Sequence, residues 1–344
     1  MADLSHSAPV RIGLVGLGGH GRTIQAAAEA SASVSVAAVF DPVEEEAERA
    51  AGLFGCDVAP SYDALLARDD LDAVSLATPN HVHRALAEAA FAAGLDVLLE
   101  KPIANTVADG RAIVEAAERA GRVLMVGQNM RFGEAILWAR RQIEAGRLGE
   151  VVSAEFHFSS DTALRLPPDS WRLRPEHCPL LPMMQLGVHA VDLAHVLVGR
   201  IESVHARARA VTTAGGVVDS AVALFEAEGG ALGTVVSNYC SPVVFRFTIT
   251  GTEGALDGTP LVATLTPRDG GPPETHDASA EPFASYVAQF DVFAAAVRAR
   301  TPPETDGWAA TQALAVVEAM SESVAGGGPV RVPSLRSTVP SHVA

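Results

Sequence analysis

From Val10 to about Gln128, short runs of β-branched and other apolar residues alternate with Ala-rich stretches of helical periodicity. The runs cover residues 10–15, 34–40, 72–77, 96–99 and 123–127. Their apolar positions are nearly continuous, which predicts parallel strands buried on both faces. The stretches between them read as crossover helices, with Gly94 and Gly121 standing where C-terminal caps belong. The pattern predicts a doubly wound α/β domain over residues 1–128.

After Gln128 the rhythm changes. A helix is expected over 134–145, a strand over 151–158, an irregular Pro/Arg-rich segment to about Pro182, and a helix over 184–198. From Ile201 to about Leu265, strand-like runs follow one another with only turn residues between them. Consecutive strands without helices imply an antiparallel sheet. Helices over 283–300 and 306–324 close an α+β domain spanning 129–333, and residues 334–344 are expected to form a flexible tail.

The length of 344 residues fits two domains. A formal net charge of −16 argues against nucleic acid or an anionic membrane as the main partner. Three widely spaced cysteines fit a reducing compartment, and no signal-like start or long apolar run is visible, so a cytoplasmic protein is expected. Of the 25 basic residues, 24 are arginine, and the single lysine is Lys101. A lysine brings a compact amine whose pKa moves readily on burial, which an arginine cannot supply.

The first run leads directly into GLGGHG, placing Gly16, Gly18 and Gly21 in a GxGxxG pattern, with Gly19 and His20 inside it. Between a strand and a helix, Gly16 allows a tight turn, Gly18 lets the backbone approach a pyrophosphate, and Gly21 permits close packing. Asp41 ends the second run, near the spacing of an acid that binds ribose hydroxyls. Its charge, followed by Glu44, Glu45 and Glu46, repels a 2′-phosphate, and no arginine lies nearby in sequence to receive one. NAD is therefore expected over NADP.

Thr78-Pro79-Asn80, Glu100-Lys101-Pro102 and Gln128-Asn129 also follow strands, so they line the same carboxyl edge of the sheet. This puts Lys101 beside the expected cofactor. In a helical QLGVHAVD segment, Gln185, His189 and Asp192 share one face. His189 can then move a proton near neutral pH, with Asp192 placed to orient it.

Six motifs along nearly the whole chain resemble the Gfo/Idh/MocA (glucose–fructose oxidoreductase, inositol dehydrogenase) family: GLGGHG, TPNHVH (78–83), EKP (100–102), GQNMRF (127–132), LGVHAVD (186–192) and GTEGAL (251–256). The resemblance implies a Rossmann domain followed by a domain with an open antiparallel sheet, and a nicotinamide cofactor at their junction. It implies hydride transfer at a carbinol carbon of a sugar, sugar acid, cyclitol or nucleotide sugar. By position, Lys101 matches the lysine that hydrogen-bonds the reacting oxygen and His189 the acid/base, while Asn80 and His83 match positions near the nicotinamide. Gln185 departs from the pattern, since many members carry aspartate there; a glutamine hydrogen-bonds but does not ionise.

Arg131 is expected to face substrate or to form an interdomain ion pair. Arg165, Trp171, Arg172 and Arg174 stand in the irregular segment before the His189 helix, where they either clamp an anionic substrate group or remain solvated. The histidine and cysteine spacings give no metal site. A large open sheet face is expected to be covered in a homodimer or homotetramer. Two further readings stay open beside the NAD-dependent dehydrogenase: a silent NAD-binding sensor of the same fold, and an enzyme using bound NAD without net redox.

Overall fold

The computed structural model describes residues 8–335, so most of the expected tail lies outside the described residues. Two compact units are present. The first comprises the chain up to Ile103, Asp109–Asn129 and Tyr286–Gly307; the second comprises Ala104–Ala108, Met130–Ser285 and the chain from Trp308 on.

In the first unit, β1 (Val10–Val15), α1 (Gly21–Ala30), β2 (Val34–Phe40), α2 (Glu44–Phe54), β3 (Asp57–Val58), α3 (Tyr62–Leu66), β4 (Ala73–Leu76), α4 (His83–Ala92), β5 (Asp96–Leu99), most of α5 (Val107–Ala120) and β6 (Leu124–Val126) follow in order. The six strands pair in parallel in the order β3-β2-β1-β4-β5-β6. Ile12, Val74, Leu76 and Leu99 are fully buried, as strands covered on both faces require. Gly94 and Gly121 take positive φ (81° and 61°) just beyond α4 and α5, as helix-ending residues do. The sheet order reverses between β1 and β4, so the loops after these two strands open a crevice.

The C-terminal helix α8 (Ala284–Ala299) corrects the simple division at residue 128. Expected in the second domain, it belongs almost entirely to the first unit because polar contacts hold it there. Asp291 accepts from Ser31 Oγ at 2.8 Å, Arg298 donates to the Ser33 carbonyl, and Arg300 donates to Asp96 at 2.6 Å. The following segment extends the sheet edge, where Val126 N donates to the Thr305 carbonyl.

The second unit contains α6 (Glu134–Glu144), β7 (Val151–Ser159), α7 (Val188–Leu197), β8 (Ile201–Arg209), β9 (Ser220–Ala227), β10 (Leu232–Asn238), β11 (Val244–Gly251), β12 (Gly254–Gly258), β13 (Val262–Pro267), β14 (Glu274–Asp277), most of α9 (Gly307–Gly326) and β15 (Val330–Arg331). Its nine strands run in the order β14-β13-β12-β11-β7-β10-β9-β8-β15. All pairs are antiparallel except β7 with β10. One face buries Phe156, Phe158, Phe225, Val235 and Phe247, with α7 packed on β7. The other exposes Val222, Leu224 and Leu232.

Candidate active site

In the first unit, the turn after β1 is shaped by its glycines. Gly16 has φ +84°, and a Cβ there would lie 2.6 Å from the Ala77 carbonyl oxygen; one on Gly21 would lie 2.1 Å from that of Gly16. These two positions are dictated by the protein's own packing. Gly18 differs, since its nearest protein neighbour would be a comfortable 3.8 Å away. Its small size leaves the backbone open to a ligand at the start of α1, which has no side-chain cap.

The turn borders a cleft of about 500 Å³, walled by Phe40, Pro42, Val82 and Leu86 and closed by Gly16, Asp41 and Thr78. Asp41 is clamped at the end of β2, where its two carboxylate oxygens accept from Leu17 N at 2.6 Å and Val43 N at 2.8 Å. An apolar cleft beside a fixed carboxylate and a glycine turn fits an adenosine and its pyrophosphate. Thr78 Oγ1 and Gln128 Oε1, on the loops after β4 and β6, are buried polar atoms without a hydrogen-bond partner among the described residues, as ligand-facing groups are. The residues thus fit a dinucleotide.

The structure also reveals arginines that their sequence separation from Asp41 conceals. Glu46 accepts from Arg22 at 2.6 Å and from Arg49 at 3.2 Å, and Arg49 also reaches Gln25 at 2.8 Å. These hydrogen bonds pull the Glu46 carboxyl below its ordinary pKa, Arg22 contributing most. The cations beside the turn are committed to protein acceptors.

Lys101 follows β5 in a Glu100-Lys101-Pro102 turn whose Lys101–Pro102 peptide is cis. Glu100 is buried behind it, accepting from Lys101 N at 3.2 Å and lying 3.6 Å from His20 Nε2. Burial pushes the Glu100 carboxyl up, but His20 and then Lys101 outweigh it and leave its pKa below normal. Gly127 is required here, because a Cβ would lie 2.6 Å from Glu100 Oε1. Tyr286, which carries no motif in the sequence, stacks obliquely near His20 with centroids 5.8 Å apart. Burial, followed by the charge of Glu100, raises its phenol to about 12.

His83 is not a groove-facing ligand as its motif position implied. Its ring is fully buried, with Nδ1 3.0 Å from the Pro102 carbonyl oxygen and Nε2 3.0 Å from that of Thr78. It braces the Thr78 turn against the Lys101-Pro102 turn from behind. Burial lowers its pKa despite these carbonyls. Asn80 and Gln128 are also buried.

In the second unit, a widened π-turn over Met183–Gly187 runs into α7 and carries Gln185 one turn before His189. Leu180 precedes it with φ 48°, and Ser237 Oγ donates to the Pro182 carbonyl at 2.8 Å. Gly187 permits this packing, since a Cβ would meet Met183 Sδ at 2.5 Å. Gln185 and His189 are 7% and 6% exposed. Gln185 Oε1 accepts from Arg172 Nε at 3.2 Å, and its amide lies 3.4 Å from Cys178 Sγ.

Both oxygens of Asp192, the acid expected beside His189, accept from Arg131 at 2.6 and 2.7 Å. Of the two alternatives for Arg131, the structure shows an ion pair, and it is formed within the second unit rather than between domains. Arg165 is an exposed partner of Asp161, so it too is occupied. Arg172 lies 4.6 Å from the centre of the Trp171 ring.

Residues 10–128 match the model described as an oxidoreductase family with an NAD-binding Rossmann fold, and residues 136–257 match the GFO/IDH/MocA C-terminal domain. A D-xylose 1-dehydrogenase (NADP(+)) of Haloferax volcanii is 30% identical, covering 93% of this chain and 99% of its own. An inositol 2-dehydrogenase of Rhizobium meliloti is 28% identical over 92% and 97% of the two chains. The solved structure of a levoglucosan dehydrogenase in complex with NADH shares the fold, with a TM-score of 0.88 at 23% identity over 95% of this chain and all of its own.

Proposed function

The chain belongs to the Gfo/Idh/MocA family of oxidoreductases, and from that premise we propose that it interconverts a secondary hydroxyl and a ketone on a sugar, sugar acid, cyclitol or nucleotide sugar, using NAD. The observation that carries the reading is the cleft at the β1–β4 switch with Asp41 clamped at its end. Asp41 is the acceptor for the ribose hydroxyls, and its charge, with Glu46 balancing Arg22 and Arg49, favours NAD over its 2′-phosphorylated form.

Bound NAD supplies the acceptor for the hydride that leaves the carbinol carbon. His189 takes the hydroxyl proton, and Lys101 donates a hydrogen bond to the oxygen as charge grows on it. In that oxidation the C–H bond would break with its electron pair going to the departing hydride, the O–H proton would pass to His189, and the C=O bond would form. Glu100, held between His20 and the Lys101 backbone, fixes the turn that carries the lysine. Gln185 positions the neighbourhood of His189 without itself exchanging protons.

The exposed face of the large sheet, with Val222, Leu224 and Leu232, is proposed to be covered by a second copy in a homodimer or homotetramer. Three free thiols fit a cytoplasmic setting, and among the described residues no helix is long and apolar enough to cross a membrane.

The test is NADH formation against a panel of sugars, sugar acids, inositols and nucleotide sugars. Turnover of at least one member is expected. Tight NAD binding with no turnover of any would overturn the reading.

A further inference from the structure

Arg172 differs from the other partly or fully buried arginines of its unit. Arg131 reaches Asp192 and Arg200 reaches Glu202 at 2.7 Å. Arg172 is only partly exposed, yet among the described residues it reaches no carboxylate. In a chain with 41 acidic residues against 25 basic ones, a half-buried cation without an acid is a costly choice unless something else neutralises it.

The guanidinium is also held in place. Its Nε is fixed by Gln185 Oε1 at 3.2 Å and its Cζ lies over the Trp171 ring, 4.6 Å from the centroid. Ser170 Oγ accepts from Arg172 N at 3.4 Å and closes the short turn that carries both side chains. With Nε occupied, the outer edge formed by the two Nη groups keeps its N–H donors for an incoming acceptor. That edge suits a planar two-oxygen anion. The neutral amide of Gln185 holds the guanidinium without cancelling its charge, which an acid at the same place would do. The fixed rotamer lowers the ordering cost of binding.

Gln185 lies four residues before His189 along the same continuous helical segment, so the two side chains leave neighbouring turns of one element. From this juxtaposition we infer that Arg172, presented by Gln185 and Trp171, selects a substrate whose oxidised carbon and an anionic group belong to one small molecule: a sugar acid, with its carboxylate on the Nη edge of Arg172. The inference rests on the oxidoreductase reading, for which His189 marks the reacting hydroxyl. It narrows that reading from sugars in general to anionic ones.

The experiment pairs neutral sugars with their acids, glucose with glucuronate and gluconate and galactose with galacturonate, and adds glucose 6-phosphate. Initial rates of NADH formation are measured for the native protein and for Arg172→Gln, Arg172→Lys and Gln185→Glu. The expected result is a kcat/KM at least tenfold higher for an acid than for its neutral partner. Arg172→Gln should lower the acid's value at least tenfold more than the neutral sugar's, and Arg172→Lys should restore part of that difference. Gln185→Glu should erase the preference by neutralising the cation. A preference for the phosphate that responds in the same way assigns the site to an anion but overturns the carboxylate. Equal use of acids and neutral sugars, or equal losses in Arg172→Gln, overturns the inference and leaves the oxidoreductase reading intact.

Calorimetric titration of the NADH-loaded protein with glucuronate and gluconate supplies a readout independent of turnover. Binding that weakens with salt and vanishes in Arg172→Gln supports the anion site even without turnover, whereas no such binding counts against it. Absence of NADH from every substrate overturns the oxidoreductase reading instead.

Discussion

Arg131 and Asp192 meet edge to edge inside the second unit, with Nε and Nη2 of the guanidinium donating to the two carboxylate oxygens at 2.7 and 2.6 Å. The residues are 8% and 1% exposed, so the pair is cut off from water. Removing one partner takes the bidentate counter-ion from a buried charge, at a cost of about 3–5 kcal/mol. Asp192→Leu and Arg131→Met should each lose stability on that scale in urea unfolding. The double variant Arg131→Met/Asp192→Leu should lose far less than the sum, because it buries no stranded charge. Additive losses would show that the pair is not energetically coupled.

Asp41 decides between the two nicotinamide cofactors through its charge and its fixed position. In Asp41→Ser the backbone of the turn keeps a small acceptor, but the repulsion toward a 2′-phosphate is gone. Hydrogen bonds to a charged group are worth about 1.5–3 kcal/mol. The ratio of kcat/KM for NAD over NADP should therefore fall roughly 10- to 100-fold, read by steady-state kinetics with each cofactor. An unchanged ratio would move the discrimination to Glu46 and its arginines.

Lys101→Arg keeps the positive charge and changes its shape and titration. If the amine stabilises the oxygen as charge develops, kcat should fall on the order of 100-fold or more while the KM for NAD changes far less. Native kcat in this variant would remove Lys101 from the reaction. Glu100→Gln gives a milder version, since it discharges the buried acceptor behind the turn without touching the lysine side chain.

Much of this site was legible in the sequence because its parts are local. A strand, a glycine turn and a helix start lie in one short stretch, and the strand ends at Thr78, Glu100 and Gln128 follow from the alternation of apolar runs. Partners joined only by tertiary packing were not legible. Asp192 and His189 share a helix face by spacing, yet the acid is taken by Arg131 from another segment of the chain. His83 sits in a motif, but its ring turns inward to two carbonyls. Helix α8 lies far along the sequence and returns to the first unit through Asp291, Arg298 and Arg300. The widened turn at Gln185 has no signature beyond Gly187, whose packing against Met183 appears only in three dimensions.

The outer face of the large sheet supplies the test of assembly. Leu224 and Leu232 are 58% and 61% exposed on neighbouring strands, with Val222 on the same side of β9. A second copy covering them would bury this apolar surface at about 25 cal/mol per Å². Light scattering during size exclusion should give a dimer or tetramer for the native chain and a shift toward monomer for Leu224→Arg/Leu232→Glu. A native monomer at micromolar concentration would refute the covered face.

His195 sets a pH dependence of stability. It is 4% exposed on α7, and Nε2 has no partner among the described residues. Burial, then the charges of Arg131 and Arg200, lowers its pKa from 6.5 to about 3. The folded state thus excludes a proton that the unfolded chain accepts below about pH 6.5. The stability gained from the neutral ring is complete above that pH and is lost as pH falls toward 3. Each such group contributes up to about 1.4 kcal/mol per pH unit within the window. His83, also lowered by burial, adds to the slope in the same direction. The depressed carboxylates Glu46 and Glu100 have unfolded values near 4.5, so between pH 6.5 and 5 the histidines dominate. Urea unfolding across that interval should show stability falling with acid. His195→Leu, which cannot titrate, should show a slope shallower by about 0.7 kcal/mol per pH unit at pH 6.5, rising toward about 1.4 at pH 5. Parallel slopes for the two proteins would mean that His195 takes up its proton in the folded state as readily as in the unfolded one.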